Sequence, residues 1–171
     1  GYAIAKGLTQ SDQFCAKDIT LTRRNINKLN DLKDSGYKIT SNNLESIENS
    51  KIIIFAVEPK HLLPLLTKVK ASFNNSHTII SVVTGIKISE ISDAINSKVP
   101  IVRAMPNTAI SIQESMTCLA SNNINALKNA ETIFNTVGKT LIISEDQMIP
   151  ATALGACGIA FFLRAIRSAS Q

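Results

Sequence analysis

The 171-residue sequence contains no tryptophan and few other aromatic residues, and its basic residues are scattered along the chain. Phe, Trp and Tyr together make up 5% of the residues. A nucleic-acid interface usually combines clustered Lys and Arg with aromatic rings on which bases stack. The net charge of +5 therefore favours a solvated surface or a small phosphate-bearing ligand over a nucleic-acid partner.

Cysteine and histidine are also scarce. The three cysteines, Cys15, Cys118 and Cys157, lie far apart, and the only histidines are His61 and His77. This pattern argues against a disulfide framework and against a zinc site. We therefore expect no bound metal and a reducing, cytoplasmic environment.

Long apolar runs and targeting signals are missing as well. No uninterrupted apolar run reaches the ~18 residues that a membrane-spanning helix needs, so no membrane partner is expected. No signal peptide is visible, although a chain that begins within a motif can have lost a leader. The hydrophobic content of 44% is ample for the core of one domain, or of one domain plus a fragment.

Strand and helix patterns alternate along residues 1–144. Strands are predicted at 18–24, 37–40, 51–57, 77–83, 99–105, 115–121 and 139–144. The continuous apolar runs "KIIIFAV" and "HTIISVV" are typical of parallel strands that are covered on both faces. The alternation predicts an α/β fold with a Rossmann-like, doubly wound and mostly parallel sheet.

The composition changes near residue 145. Residues 145–171 contain no strand pattern and form one long Ala-rich helical stretch that is apolar on most sides. Such a helix is expected to be buried against other helices. We therefore predict that a second, all-helical domain begins at residue 145 and continues beyond Gln171.

The opening segment "GYAIAKGLTQS" has a helical pattern from its first residue, with Tyr2, Ile4, Ala5 and Leu8 near one face. One interpretation is that Gly1 is a leftover cloning residue in front of an ordinary helix. The other is that Gly1 is the last glycine of a strand–GxGxxG–helix unit whose strand and first two glycines are missing. In such a unit the helix N-terminus faces a pyrophosphate.

The segment Thr22-Arg23-Arg24-Asn25 follows a predicted strand, about 20 positions after Gly1. In the dinucleotide fingerprint this is the place of an acidic residue that binds the ribose 2′-hydroxyl of NAD. Two guanidinium groups at that place would instead bind a 2′-phosphate, which favours NADPH over NADH. The alternative is that both arginines are ordinary surface residues at the start of a helix.

The next strands end at Glu58-Pro59, at Thr84-Gly85 and at "PNTAI". Ligands of doubly wound sheets bind at the carboxyl ends of the strands. Each of these segments alone is a weak signal, because loops often contain Pro, Gly, Asn and Thr. Gly85 has the alternative interpretation of a turn residue, and Asn107 that of a turn former held by its own side chain.

Four segments occur in a characteristic order: "AVEP", "SVVTGI", "RAMPNT" and "ATALGACGIAFF". In this the chain resembles the pyrroline-5-carboxylate reductase family over all 171 residues. The resemblance implies an NAD(P)-binding domain at 1–144 that lacks its first strand. It also implies that 145–171 is the first helix of a truncated helical dimerisation domain, and that the protein forms a homodimer or a larger ring.

The implied activity is the NADPH-dependent reduction of 1-pyrroline-5-carboxylate to L-proline, with NADH as a possible cofactor. Thr22, Arg23 and Arg24 are implied to hold the 2′-phosphate. The other implied cofactor-binding residues are Gly1, Asn43, Ala56, Val57, Glu58, Pro59, Val82, Val83, Thr84 and Asn107. The resemblance identifies no catalytic residue, since the substrate-carboxylate loop is expected beyond Gln171.

Several positions depart from the family pattern. Glu58 stands where Lys is common, Thr84 where Ala is usual, and Ala109 where Pro follows the motif. In the final motif Ile159 replaces a Pro, and Gly155 and Cys157 replace serines. Two further functions therefore stay open: another NADP-linked reductase of the same superfamily, or a non-catalytic, regulatory dinucleotide-binding relative. Under each of these the chain alone is expected to be inactive.

Overall fold

Helices and strands alternate along residues 1–170, the part of the chain that the computed structural model describes. The strands are β1 (Thr20–Thr22), β2 (Lys38–Thr40), β3 (Ile52–Phe55), β4 (Thr78–Ser81), β5 (Ile101–Met105), β6 (Ser115–Ala120) and β7 (Gly138–Ile142). The helices are α1 (Tyr2–Gln10), α2 (Asn30–Asp34), α3 (Asn43–Glu48), α4 (Pro59–Val69), α5 (Ile88–Ile95), α6 (Ile124–Phe134), α7 (Met148–Thr152) and α8 (Gly158–Ala169).

The strands form two sheets. Five strands lie in the order β3-β4-β5-β6-β7, and β1 pairs with β2 in a separate two-stranded sheet. All pairs are parallel except β5 with β6, which confirms the prediction of a mostly parallel sheet. The exception has a simple cause, since only a short loop with one 3₁₀ turn joins β5 to β6. A parallel connection would need a crossover of roughly a dozen residues.

The five-stranded sheet is covered on both faces, as a doubly wound fold requires. Alternate residues of β4 point to opposite sides, so Ile80 packs in one core and Ile79 in the other. The first core contains residues of α1 and α6, and the second contains residues of α4 and α5. Leu62 and Leu66 of α4 are fully buried, and each such burial contributes about 1.5–3 kcal/mol.

Helix α1 begins directly after Gly1, which is its N-cap residue. Ile4, Ala5 and Leu8 are buried as predicted, but Tyr2 is exposed. Tyr2 lies in the first turn of the helix, where the other three residues already cover the sheet. Helix α4 runs through Pro64 without interruption, so the alternative of a late helix start at this proline is wrong.

The C-terminal stretch is helical as predicted, with a π-helical turn at Ala153–Cys157 between α7 and α8. The expectation that this stretch is buried is wrong within residues 1–170. Met148 packs in the core, but α8 extends away from the sheet and exposes its large apolar side chains. These are Phe161, Phe162, Leu163 and Ile166. Gln171 and the side chains of Cys157 and Ile159 lie outside the described part.

The length of this stretch also corrects the expectation of no membrane-length segment. Glu145–Ala169 is one helical stretch whose most apolar window has a mean hydropathy of 1.7, enough to cross a membrane by length and composition. The sequence scan missed it because isolated polar residues interrupt the apolar run. The core helix of a soluble protein passes the same test, so this criterion alone assigns no role in a membrane.

Candidate cofactor-binding site

The carboxyl ends of β3, β4 and β5 lie side by side. In the parallel ladders Phe55 is paired with Ser81, and Ser81 is paired with Arg103. The backbone N–H of Val82 donates to the Phe55 carbonyl at 3.0 Å and extends the ladder by one step. The segments that follow these three strands therefore lie along one edge of the sheet, where doubly wound folds bind their ligands.

A groove of about 190 Å³ separates the two sheets. Residues of β1 form one wall and residues of β3 form the other. Among the described residues, neither of these facing strand edges is paired with a further strand. Five of the predicted cofactor-binding residues line this groove together: Gly1, Thr22, Asn43, Ala56 and Val57. Sequence positions that are more than 50 residues apart thus meet in one place.

Gly1 lies against the end of β3. A Cβ atom added to Gly1 would lie 3.4 Å from the Cβ of Ala56, which is tighter than most contacts of this kind. The first turn of α1 contains no acidic side chain. The N-terminal end of α1, with its partial positive charge, therefore lies at the groove without a carboxylate of its own to neutralise it.

Arg23 and Arg24 directly follow the groove wall formed by β1. Both side chains are exposed, and neither belongs to an ion pair found among residues 1–170. The Arg23 backbone N–H donates to the Thr40 carbonyl at 3.3 Å, which fixes this segment beside β2. Two guanidinium groups are thus held at the rim of the groove with their donors available to a ligand.

Glu58 lies at the same rim. Its carboxylate pairs with the Lys60 ammonium at 2.8 Å. This hydrogen bond and the charge of Lys60 lower the pKa of Glu58, and the positive charges of His61 and Arg24 contribute further. The contribution of Arg24 places the two rim residues in one electrostatic neighbourhood. Glu58 is the N-cap residue of α4, and Pro59 occupies the first turn of that helix.

A second, smaller cavity of about 10 Å³ lies farther along the same edge. The predicted residues that line it are Val82, Val83 and Thr84, together with Met105. Asn107 lines neither cavity. Its side-chain oxygen accepts from the Ala109 N–H at 3.1 Å, the turn-forming role that the sequence left open. Neither cavity is lined by Glu58, Pro59, Arg23 or Arg24.

Two charged residues next to this second cavity were overlooked in the sequence. Arg103 lines it and is 7% exposed, and its guanidinium pairs with Glu145 at 3.2 Å. The available signal was an arginine inside the apolar strand "VPIVRAM". Among residues 1–170 no three His, Cys, Asp or Glu side chains lie close enough together to hold a metal ion.

The fold and the groove define a Rossmann-like dinucleotide-binding domain. In agreement with this class, a family model described as NADP oxidoreductase, coenzyme F420-dependent, matches residues 1–85. Along its whole length the chain is a homologue of the pyrroline-5-carboxylate reductases, which confirms the resemblance seen in the sequence. It is 48% identical to pyrroline-5-carboxylate reductase 1 of Dictyostelium discoideum and 43% identical to pyrroline-5-carboxylate reductase 2 of that organism.

Solved structures agree with these sequence relatives. The pyrroline-5-carboxylate reductase of Coxiella burnetii superimposes with a TM-score of 0.90 at 27% identity, over 98% of this chain and 64% of that one. The Plasmodium falciparum enzyme, solved with NADP bound, gives a TM-score of 0.87 at 27% identity, over 98% and 63%. The chain spans 34% and 63% of the lengths of the two Dictyostelium relatives, each of which covers all of it.

Proposed function

We propose that this chain carries the cofactor-binding domain of an enzyme that reduces 1-pyrroline-5-carboxylate to L-proline with NADPH. The observation that carries this proposal is the 48% identity, along the entire chain, to a protein named as such a reductase. The groove supports it independently, because five residues predicted from the resemblance line one cavity at the carboxyl edge of the sheet.

The residues around the groove fit a phosphorylated dinucleotide. The N-terminus of α1 at Gly1 would face the pyrophosphate. Arg23 and Arg24, with the Thr22 hydroxyl, would bind the 2′-phosphate through planar, charge-assisted hydrogen bonds. The other residues proposed to contact the cofactor are Asn43, Ala56, Val57, Glu58, Pro59, Val82, Val83, Thr84 and Asn107. NADH would lack the phosphate that the two arginines bind.

When bound, the nicotinamide supplies a hydride to the imine carbon of the substrate. The protonated iminium form is the better acceptor, because positive charge on nitrogen makes this carbon electrophilic. Within residues 1–170 the role of Val82, Val83 and Thr84 is to hold the nicotinamide end in place at the carboxyl edge. We assign no proton donor to this part of the chain; solvent or a group beyond Gln171 would supply the proton.

We further propose that residues 1–144 form the cofactor domain and that a helical dimerisation domain begins at residue 145. The exposed apolar side chains of α8, such as Phe161 and Phe162, support a second copy of the protein as the partner of this helix. A cytoplasmic location completes the proposal. Light scattering and cell fractionation of the full-length protein test the assembly and the location respectively.

Two alternatives keep the fold. One is an NADP-linked reductase with a different substrate, and the other is a dinucleotide-binding protein without catalytic activity. Glu58 is the feature that favours the second, since a carboxylate at the rim of the groove repels an anionic cofactor. Titration with NADPH distinguishes this case, because tight binding without turnover would favour a non-catalytic role.

The test is a steady-state assay of the full-length protein with NADPH and 1-pyrroline-5-carboxylate. Oxidation of NADPH coupled to formation of proline is expected, and no rate above background would reject the proposed activity. The double variant Arg23→Ala/Arg24→Ala should weaken NADPH by about 10- to 100-fold and leave NADH nearly unchanged, since hydrogen bonds to charged groups contribute about 1.5–3 kcal/mol each. Lys28→Ala, an exposed basic residue in the following turn, is the matched control.

A further inference from the structure

A buried charge lies within β5. Arg103 is 7% exposed, and its two neighbours in the strand, Val102 and Ala104, are buried apolar residues. A guanidinium stays protonated in a protein, so burial leaves it charged and in need of an acceptor. Removing the acceptor from such a pair is costly, because an uncompensated buried charge is left behind.

The acceptor comes from the C-terminal region. Glu145 lies in the 3₁₀ turn that precedes α7, and its Oε1 atom accepts from Arg103 Nη1 at 3.2 Å. The same oxygen accepts from the backbone N–H of Ile88, the first residue of α5, at 2.7 Å. A negative charge at a helix N-terminus is favourable. One carboxylate oxygen therefore joins β5, the start of α5 and the start of the C-terminal helical region.

This contact fixes one end of the turn between β4 and α5. The other end is fixed by the ladder, where the Val82 N–H donates to the Phe55 carbonyl. Between these two anchors, Thr84 and Gly85 are exposed, and no heavy atom lies within 4 Å of the place of a Cβ on Gly85. Packing around Gly85 does not hold the turn, so its position depends on the anchors at its two ends.

The anchor is adjacent to the smaller cavity of the site. Arg103 lines that cavity beside the residues proposed to hold the nicotinamide end of the cofactor. Met148 and Thr152 of α7 line its opposite side, so α7 is held against the same cavity. The full set of lining residues is Val82, Val83, Thr84, Arg103, Ala104, Met105, Met148 and Thr152.

We infer that Glu145 is a positioning residue: through Arg103 and the Ile88 N–H it sets the β4–α5 turn and α7 at the nicotinamide end of the site. Its link to catalysis rests on the proposed function. The adenosine end of the site is built from β1, α3 and β3, which Glu145 does not contact. The positioning role therefore affects one end of the cofactor site and leaves the other end unchanged.

The kinetic test uses the full-length protein. Glu145→Ala should lower kcat for imine reduction by about 10- to 100-fold, because a misplacement of about 1 Å can cost a hundredfold in rate. Glu145→Gln keeps an oxygen that both donors can reach and should recover most of the lost rate. Asp146→Asn, an exposed carboxylate on the same turn, should retain the wild-type rate. Affinity for 2′,5′-ADP, a probe of the adenosine end, should stay within about twofold in all three variants.

Amide hydrogen exchange tests the same inference without any enzymatic activity. The Ile88 amide and those of residues 84–87 should exchange about tenfold faster or more in Glu145→Ala than in Asp146→Asn, because the turn loses one anchor. Equal exchange in the two variants would overturn the inference. So would an unchanged kcat in Glu145→Ala, or a loss of 2′,5′-ADP affinity in parallel with kcat, which would show a general structural role.

The two tests separate this inference from the proposed function. A wild-type protein that oxidises no NADPH with 1-pyrroline-5-carboxylate refutes the proposed function, and hydrogen exchange then decides the role of Glu145 alone. A wild-type protein that is active, with a Glu145→Ala variant of equal activity and equal exchange, supports the proposed function and refutes the positioning role.

Discussion

Glu58 is the side chain at the candidate site whose charge opposes the proposed ligand. Its carboxylate is exposed at the rim of the groove, where Lys60 pairs with it and the charge of Arg24 acts on it. Lys60 and Arg24 thus offset part of its repulsion of an anionic cofactor. Because the pKa of Glu58 is lowered from its ordinary value of 4.5, this carboxylate is ionised throughout the neutral range.

Replacing Glu58 with Gln should tighten the binding of NADPH to the full-length protein, because one negative charge near the phosphates is removed. The expected gain is about two- to fivefold at low salt and smaller at high salt, since the group is exposed and screened. The gain should be constant from about pH 8 down to about pH 5 and should disappear as the pH falls through the lowered pKa of Glu58, where the native carboxyl becomes neutral. Isothermal titration at several pH values measures it.

The control for this variant is Glu131→Gln, which removes the same charge from α6 on another part of the surface. NADPH affinity that rises equally in both variants would mean that only net charge matters. Weaker binding in Glu58→Gln would contradict the repulsive role of Glu58 and would indicate that its pairing with Lys60 helps to shape the site.

Local sequence identified the residues at the groove better than those at the second cavity. The distance of Arg23 and Arg24 from Gly1 along the chain was a usable signal, because the dinucleotide fingerprint has a fixed spacing. Arg103 and Glu145 were missed because their contact joins positions 42 residues apart. Only the fold brings such positions together, and the sole local sign was a charge in an apolar strand.

Among the secondary-structure elements, the existence and order of the strands could be predicted, but the direction of β6 could not. Apolar runs identify a strand, whereas its direction depends on the connection that precedes it. The junction at β7 shows a similar limit. Gly138 was predicted to end a helix, and it also opens β7 with a φ of 148°, close against the backbone of Ser115.

Gly138→Ala should therefore be strongly destabilising. A Cβ atom there would overlap the backbone carbonyl and N–H of Ser115 in β6, neither of which can move as a side chain would. Strain at this φ costs about 1–3 kcal/mol, and overpacking adds about 1–3 kcal/mol. We expect a loss of roughly 2–6 kcal/mol in the free energy of unfolding, measured by urea denaturation.

Gly85→Ala is the matched control for this substitution. Gly85 also has a positive φ, 83°, but a Cβ there would meet no atom within 4 Å. It should cost only about 1–2 kcal/mol, the penalty of the left-handed conformation alone. Equal losses in the two variants would mean that β6 and β7 separate to accept the new methyl group, and the tight junction would then not limit stability.

For the molecule as a whole, the principal unexplained feature is the division into two sheets. The sequence led us to expect a strand and two glycines in front of Gly1, and the structure has a groove of about 190 Å³ between β1 and β3. Among the described residues both facing edges lack a strand partner, and unpaired edges of this kind readily accept another strand. We propose that this groove is the place of the strand that leads into Gly1.

This proposal can be tested by fusing a designed segment to Gly1. The segment is a five-residue apolar, β-branched strand followed by Gly-x-Gly-x-x, so that Gly1 becomes the third glycine of the fingerprint. Pairing with both β1 and β3 would join the two sheets, bury the walls of the groove and add backbone hydrogen bonds worth about 0.5–1.5 kcal/mol each. We expect the melting temperature to rise by roughly 5–15 °C, since 1 kcal/mol corresponds to about 2–4 °C in a domain of this size.

The matched control carries a proline at the centre of the same strand. Proline cannot donate to a ladder, so it is excluded from a strand that is paired on both sides, while the length and apolar character of the segment are kept. If the fused strand occupies the groove, amides of Thr20–Thr22 and Ile52–Phe55 gain protection from hydrogen exchange in the designed chain and not in the proline control. Equal melting temperatures and equal protection in the two chains would show that the segment adheres elsewhere by its apolar character, and the two sheets would then be separate units rather than halves of one.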